Sequence, residues 1–185
     1  MTDEFTVLFV CTANQCRSVM AEALAAHVLQ RMPDPPPLTF GSAGTSALAG
    51  SPPTEVTART LRIAGIDLAG HRSRELDRRI VADADLVLTM TRGHIAAVLA
   101  QDRSAGRRTF TLAGFARAVR GRAADSPEAL VDVANEFAEV HADDDVPDPV
   151  GHGDAAHQIC AARLLQLVRV VVAALAGSSE TTRTP

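Results

Sequence analysis

The sequence has no lysine, no tryptophan and no tyrosine, and only three of its 185 residues are cysteine. Its 18 basic residues are therefore all arginine, scattered along a chain of net charge -4, unlike the clustered basic surface of nucleic-acid-binding proteins. So few cysteines exclude the disulfide framework of a small secreted protein. We expect no secretory signal, because nothing in the first residues resembles one, and the longest apolar stretch, residues 164–177, contains a glutamine and an arginine. We expect a cytoplasmic protein that binds neither nucleic acid nor a membrane.

Strand-like and helix-like segments alternate along the chain. Apolar runs predict strands at residues 6–10, 38–42, 85–90 and 108–112. The segments between them predict helices at residues 18–31, 54–64 and 92–100. This alternation predicts a three-layer α/β fold, in which a parallel sheet of four strands carries helices on both faces.

The second half of the chain departs from this alternation. Residues 113–140 show two helical patterns, which we interpret as an extra helical segment whose role stays open. An acidic loop with prolines follows at residues 141–153, and then a long apolar helix at about residues 154–176, whose apolar stripe we assign to the core. We predict one domain over residues 1–176 and a disordered tail over residues 177–185.

The most informative segment, FTVLFVCTANQCRS (residues 5–18), places a thiol where the first strand ends and a helix is about to begin. Backbone N–H groups of such a loop lack carbonyl partners, and the helix dipole adds positive potential. Arg17 adds a full charge. These surroundings favour a thiolate and also hold a phosphate group. A lone cysteine is usually just a small buried residue, but the combination of Cys11 and Arg17 indicates covalent phosphoryl transfer.

Residues 7–24, VLFVCTANQCRSVMAEAL, closely resemble the signature of the low-molecular-weight protein tyrosine phosphatases, a cysteine, five residues and then Arg-Ser. The resemblance continues through residues 40–76, ADLVLTM (84–90) and DDDVPDP (143–149). It implies strand order 2-1-3-4, a phosphate-binding loop after the first strand and no cofactor. The implied activity is phosphomonoester hydrolysis through a phosphocysteine. The substrate would be a phosphorylated protein or a small phosphoester, and inorganic phosphate the product.

The resemblance also implies roles for single residues. Cys11 would be the nucleophile, Arg17 would clamp the phosphate, and Asp148 would protonate the leaving group and then activate water. Composition alone would assign the neighbouring aspartates to a solvated loop, so it is the match of VPDP that selects Asp148. The phosphate-binding loop would comprise Thr12, Ala13, Asn14, Gln15, Cys16, Arg17 and Ser18. Hydrogen bonds supporting it would come from Asn14, Ser18, Ser42 and His71.

Several positions depart from the family pattern. Ala13 stands where the loop usually has glycine, so its backbone should avoid glycine-specific angles. Thr91 stands where an aspartate usually follows the third strand. At the substrate entrance, Gln15, Leu48 and Val150 provide no aromatic side chain to stack on a phenyl ring. The resemblance therefore supports phosphate chemistry but does not support a preference for phosphotyrosine.

The cysteines and histidines suggest further roles. By the same resemblance, Cys16 is a candidate redox partner that would form a reversible disulfide with the nucleophile. His152, His157 and Cys160 match no zinc-binding pattern, so we expect no metal site.

Other functions fit parts of the same pattern. Arsenate reductases share the fold and the loop, but they relay oxidation through further cysteines near the third strand. In this chain residues 75–112 contain no cysteine, and Cys160 lies far along the sequence. Protein arginine phosphatases share them too, with a threonine in place of Gln15. The alternative outside enzymes is an inactive phosphate-binding or partner-docking module, against which the intact Cys11 and Arg17 argue. Oligomeric state is not predicted.

Overall fold

The computed structural model describes the chain from Glu4 to Glu180, and its side chains as far as Gly177. Its single sheet, in the order β2-β1-β3-β4, consists of parallel strands, which confirms the fold and the strand order expected from the sequence. The strands are β1 (Phe5–Cys11), β2 (Leu38–Gly44), β3 (Leu86–Thr89) and β4 (Thr109–Thr111).

Helices cover both faces of this sheet. They are α1 (Arg17–Leu29), α2 (Glu55–Arg62), α3 (Arg78–Ala82), α4 (Arg92–Gln101), α5 (Leu112–Val119), α6 (Pro127–Phe137) and α7 (Gly153–Glu180). Short 3-10 turns occur at Arg103–Arg108 and Ala142–Asp144. The sequence analysis missed α3, because five residues are too few to show helical periodicity. Its start is nevertheless marked by Asp77, whose carboxylate accepts from the backbone N–H of Ile80.

Two apolar cores, one on each face of the sheet, hold the layers together. Successive residues of a strand point to opposite faces. Val7 and Phe9 of β1 accordingly join the core beneath α1, α5 and α7, whereas Leu8 and Val10 join the core beneath α3 and α4. Burial on both faces explains why β1 reads as a continuous apolar run.

Residues 113–140 form much of α5 and all of α6. Leu112 and Phe115 of α5 are fully buried in the larger core, and Leu130 and Ala134 of α6 pack into the same core. This segment is therefore part of the helical layer that supports the sheet.

The last helix, α7, is long and apolar enough over Gly153–Gly177 to cross a membrane. One of its sides, however, is completely buried in the larger core through Leu164, Val168, Val171, Val172 and Leu175. The helix reaches Glu180, so the prediction of a disordered tail is wrong for residues 177–180. The rest of that prediction, residues 181–185, lies outside the described residues.

Candidate active site

The loop between β1 and α1 lies at the carboxyl edge of the sheet. Cys11 is the last residue of β1 and Arg17 the first of α1, so the loop faces the free N–H groups of the first turn of α1. Asn14 is the non-glycine residue between positions 4 and 180 that has a positive φ, 53°, a conformation that asparagine tolerates. Ala13 therefore needs no glycine-specific angle, as expected.

The side chain of Asn14 joins three parts of the chain. Its Nδ2 donates to Ser18 Oγ at 3.0 Å and to Ser42 Oγ at 2.8 Å, and its Oδ1 accepts from the backbone N–H of Arg74 at 3.0 Å. Ser42 Oγ in turn donates to Glu22 of α1. Because Asn14 is fully buried, water does not compete for these hydrogen bonds. They therefore stabilise the left-handed backbone conformation of Asn14.

The backbone carbonyl of Asn14 is held as well. It accepts from His71 Nε2 at 2.9 Å and from Ser73 Oγ at 2.7 Å. The structure thus brings together the expected supporting residues, and adds Ser73, Glu22 and Arg74, which the sequence analysis did not single out. The only signal for Ser73 and Arg74 was their position two and three residues after His71.

Cys11 is buried with its sulfur 3.0 Å from Ser18 Oγ. Since Ser18 Oγ already accepts from the Asn14 amide, its own proton is available to the sulfur. A hydroxyl donating to sulfur stabilises the thiolate as nucleophile and as leaving group.

The guanidinium of Arg17, at the end of the same loop, is buried, with 5% of the residue exposed. Its Nη1 donates to the carbonyl of Val146 at 3.1 Å, and its Nη2 donates to Asp148 Oδ2. Its Nε is buried and, among the described residues, has no hydrogen-bond partner. An unpaired buried donor costs about 1–3 kcal/mol, and an oxyanion bound in the loop would satisfy it.

The acid loop, residues 143–149, gives its aspartates different partners. Asp144, which is buried, forms an ion pair with the partly exposed Arg117 of α5, and Asp145 accepts from the first backbone N–H of α4. Asp148 is the aspartate that contacts Arg17, and its side chain is 47% exposed. The geometry thus places Asp148, which the sequence analysis selected, against the loop that carries Cys11.

The acid loop is anchored to several neighbouring elements. The carbonyl of Val146 holds Arg17, and its N–H donates to the carbonyl of Met90, directly after β3, at 2.8 Å. Three arginine side chains also donate hydrogen bonds to this loop: Arg117 to the carboxylate of Asp144, Arg92 to the carboxylate of Asp145, and Arg163 to the backbone carbonyl of Asp143.

Gly44, the last residue of β2, permits the close approach of β2 to the phosphate-binding loop. A Cβ at this position would lie 2.5 Å from the carbonyl oxygen of Thr12 and 2.8 Å from the backbone nitrogen of Asn14. No heavy atom fits at such distances, so the loop depends on a glycine here.

The expected entrance residues differ in exposure. Leu48 is 77% exposed and Val150 is 52% exposed, while Gln15 is half-buried. Both exposed side chains are aliphatic, so this entrance offers apolar contact without the face of an aromatic ring.

Cys16 and Cys160 are both free and buried. Burial raises the pKa of Cys16 to about 11, and burial together with the neighbouring Cys16 raises the pKa of Cys160 to about 12. The sequence analysis treated Cys160 as remote because it is distant along the chain, but its thiol lies close enough to Cys16 for their charges to interact. Both remain protonated near neutral pH.

His94, which the sequence analysis did not single out, also reaches the loop. Its Nε2 lies 3.0 Å from Thr12 Oγ1, although the two residues are 82 positions apart. No sequence pattern predicts a contact between residues so far apart in the chain.

Across the described residues, no group of three or more histidine, cysteine or acidic side chains is placed to hold a metal ion.

Comparisons with known proteins agree with this geometry. A protein-arginine-phosphatase from Geobacillus stearothermophilus is 36% identical over 121 residues, which cover 65% of this chain and 78% of that protein. The low molecular weight protein-tyrosine-phosphatase Wzb of Salmonella typhi is 38% identical over 92 residues, covering 50% of this chain and 58% of Wzb. The chain thus spans little more than half the length of the second relative.

Solved structures show the same fold along nearly the whole chain. A YwlE mutant from Bacillus subtilis has a TM-score of 0.74 at 28% identity and covers 92% of this chain and 97% of its own. A YwlE arginine phosphatase with a cysteine-to-serine mutation and a phosphorylated active site serine has a TM-score of 0.77 at 27% identity, covering 96% and 99%.

The family model that describes the low molecular weight phosphotyrosine protein phosphatases matches residues 6–144. This match confirms the resemblance inferred from the loop motif and, with it, the expected phosphatase class. Because the match takes in most of the chain, including the sheet and the phosphate-binding loop, the protein belongs to the low molecular weight phosphotyrosine protein phosphatase family.

Proposed function

We propose that the protein hydrolyses phosphorylated side chains of other proteins, with Cys11 as nucleophile, Arg17 as phosphate clamp and Asp148 as general acid and base. The observation that carries this proposal is the buried guanidinium of Arg17, whose Nε has no partner among the described residues. A tetrahedral oxyanion supplies the acceptor that this donor lacks, and the free N–H groups of α1 share its charge.

The first step forms a phosphocysteine. The Cys11 thiolate attacks phosphorus, an S–P bond forms, and the bond from phosphorus to the substrate atom breaks. Asp148 donates its proton to that leaving atom, so the product departs neutral. Arg17 and the loop N–H groups bind the phosphoryl oxygens throughout.

The second step returns the enzyme to its starting state. Asp148, now ionised, takes a proton from water, whose oxygen attacks phosphorus as the S–P bond breaks. The electron pair returns to the sulfur of Cys11, where the hydroxyl of Ser18 at 3.0 Å stabilises it. Inorganic phosphate leaves, and no cofactor enters either step.

The position of Asp148 supports this double role. Its carboxylate accepts a hydrogen bond from the guanidinium of Arg17, yet nearly half of its side chain is exposed. It is therefore accessible to both a leaving group and water. A bound phosphoryl group would use the same guanidinium, which frees the carboxyl for proton transfer.

Phosphoarginine is a second candidate substrate beside phosphotyrosine. Its phosphoryl group sits at the end of a flexible aliphatic side chain, which suits the aliphatic entrance formed by Leu48 and Val150. The relative with 36% identity is a protein-arginine-phosphatase, which also supports this candidate. Gln15 stands where the arginine phosphatases have a threonine, so Gln15→Thr should raise activity on phosphoarginine if that substrate is correct.

The test is a comparison of kcat/KM on peptides of one sequence that carry phosphotyrosine, phosphoarginine or phosphoserine, with arsenate reduction assayed in parallel. We expect hydrolysis of at least one peptide by the parent and a trapped phosphoenzyme or no turnover in Cys11→Ser. Retained phosphate binding without turnover of any phosphoryl substrate would contradict the proposal and favour a docking module. The cytoplasmic location stays a prediction.

A further inference from the structure

His94, in the first turn of α4, has polar partners at both ring nitrogens. Its Nδ1 lies 3.2 Å from the backbone nitrogen and 2.9 Å from Oγ1 of Thr91, and its Nε2 lies 3.0 Å from Oγ1 of Thr12. The histidine is buried, whereas Thr12, the residue after Cys11, is exposed at the mouth of the loop.

These partners determine which ring nitrogen carries the proton. The backbone N–H of Thr91 can only donate, so Nδ1 must be an unprotonated acceptor. In a neutral ring the proton is then on Nε2, which donates to Thr12 Oγ1. Burial, and then the charge of Arg17, lower the pKa of His94, which favours this neutral ring.

The hydrogen bond from His94 limits what Thr12 can do. One lone pair of Thr12 Oγ1 is occupied by Nε2–H, so the hydroxyl proton must point away from the imidazole. Thr12 is itself a loop residue next to the nucleophile, and His94 is near enough to the reacting groups that the charges of Arg17, Asp145 and Asp148 act on it.

We propose that His94 is a positioning residue, which holds the hydroxyl of Thr12 as a hydrogen-bond donor toward the phosphoryl group that Cys11 attacks. A hydroxyl oriented in advance needs no reorientation as charge builds up on the phosphoryl oxygens. This inference rests on the proposed function, because it assigns a part in that reaction.

Two substitutions separate the contacts of His94. The side-chain amide of asparagine reaches the position of Nδ1, so His94→Asn keeps a hydrogen-bond acceptor for the N–H of Thr91 but loses the hydrogen bond to Thr12. The side-chain amide of glutamine reaches the position of Nε2, so the NH₂ group in His94→Gln restores a hydrogen-bond donor to Thr12. We expect His94→Asn and Thr12→Val each to lower kcat about tenfold with little change in KM, and His94→Gln to recover most of the loss.

The double variant gives the decisive comparison. If His94 acts through Thr12, His94→Asn combined with Thr12→Val is no slower than Thr12→Val alone. Additive losses, or equal losses in the asparagine and glutamine variants, would overturn the proposal. His27→Asn on α1 is the matched control and should leave kcat unchanged. Turnover by the parent tests the proposed function separately, so failure of that function and failure of this inference give different results.

A spectroscopic measurement tests the same contact without any substitution. Nitrogen-15 chemical shifts of the His94 ring in the folded protein should show a protonated Nε2 and an unprotonated Nδ1 at the pH of the assay, with and without inorganic phosphate. A ring protonated at Nδ1 cannot accept from Thr91, and this result would refute the proposal even if a variant failed to fold.

Discussion

Asp148 Oδ2 lies 2.5 Å from Arg17 Nη2 and joins the acid loop to the phosphate-binding loop across 131 positions of the chain. The same guanidinium holds the carbonyl of Val146 through Nη1. In the proposed mechanism Arg17 therefore has two tasks, since it would present a positive charge to the phosphoryl group and would also set the position of the general acid.

Asp148→Asn should slow the reaction according to the leaving group. An amide cannot supply the proton, so we expect kcat to fall about 10²–10⁴-fold for alkyl-like leaving groups, which depart poorly as anions. The loss should be much smaller for an acidic phenol, which needs little protonation. The measurement is kcat across a series of phosphoesters of graded leaving-group acidity. Asp143→Asn, in the same acidic run, is the control, and an equal loss across the series would contradict the role of Asp148.

Gly44→Ala should damage the phosphate-binding loop while the sheet still forms. Its Cβ would meet the carbonyl of Thr12 at 2.5 Å, so the loop must shift. We expect a loss of about 1–3 kcal/mol in the free energy of unfolding and weaker competitive inhibition by inorganic phosphate. The control is Gly70→Ala, where no heavy atom lies within 4 Å of the added carbon. Equal phosphate inhibition in the two variants would show that the close approach is unimportant.

Asp144 should make stability depend on pH. Burial alone would raise its pKa, but hydrogen bonds from Arg117 and from the N–H of His141 outweigh that effect and hold the pKa below 3.8. The stabilising contribution of Asp144 is therefore complete above pH 3.8 and is lost as the pH falls through the lowered pKa.

Asp144→Asn tests this linkage through urea unfolding at several pH values. At pH 7 the variant should lose about 1–3 kcal/mol, and the difference from the parent should shrink below pH 3.8. Asp132→Asn, from an exposed pair with Arg107, should change little at any pH. A difference that stayed constant down to pH 2 would mean that the carboxylate charge does not contribute.

The three thiols should differ in reactivity near neutral pH. Cys16 and Cys160, with pKa values raised to about 11 and about 12 by burial, stay protonated and should resist iodoacetamide. We expect one alkylated site, Cys11, and protection of that site by inorganic phosphate. Peptide mass mapping after brief alkylation at pH 7 measures this. Modification of all three thiols at similar rates would contradict the assignment of Cys11 as the reactive one.

The features that could be predicted from the sequence are local in the chain. β1 is buried on both faces, so it reads as one apolar run, and the groups that surround the phosphate site follow within residues 11–18. Asp148, which contacts Arg17, was selected because a short motif carries it. In each case the determining residues are neighbours in the sequence.

The features that were missed depend on contacts made in space. His94 reaches Thr12 over 82 positions, and Arg74 reaches Asn14 over 60, so neither pairing leaves a periodic or spacing signal. The continuation of α7 through Gly177 was missed for a related reason. Glycine and serine are weak helix formers, and the helix there extends from turns already held by burial of Leu175 and its neighbours.

The anchoring of the acid loop to α1, α4, α5, α7 and the end of β3 affects how the protein can meet its substrates. If Asp148 is the general acid, its backbone is already in place and no lid needs to close over the reactants before each turnover. On the proposed function, a bulky folded phosphoprotein could then react at the protein surface without being enclosed. The speed of the cycle should consequently be insensitive to solvent viscosity, except where product diffusion itself is limiting.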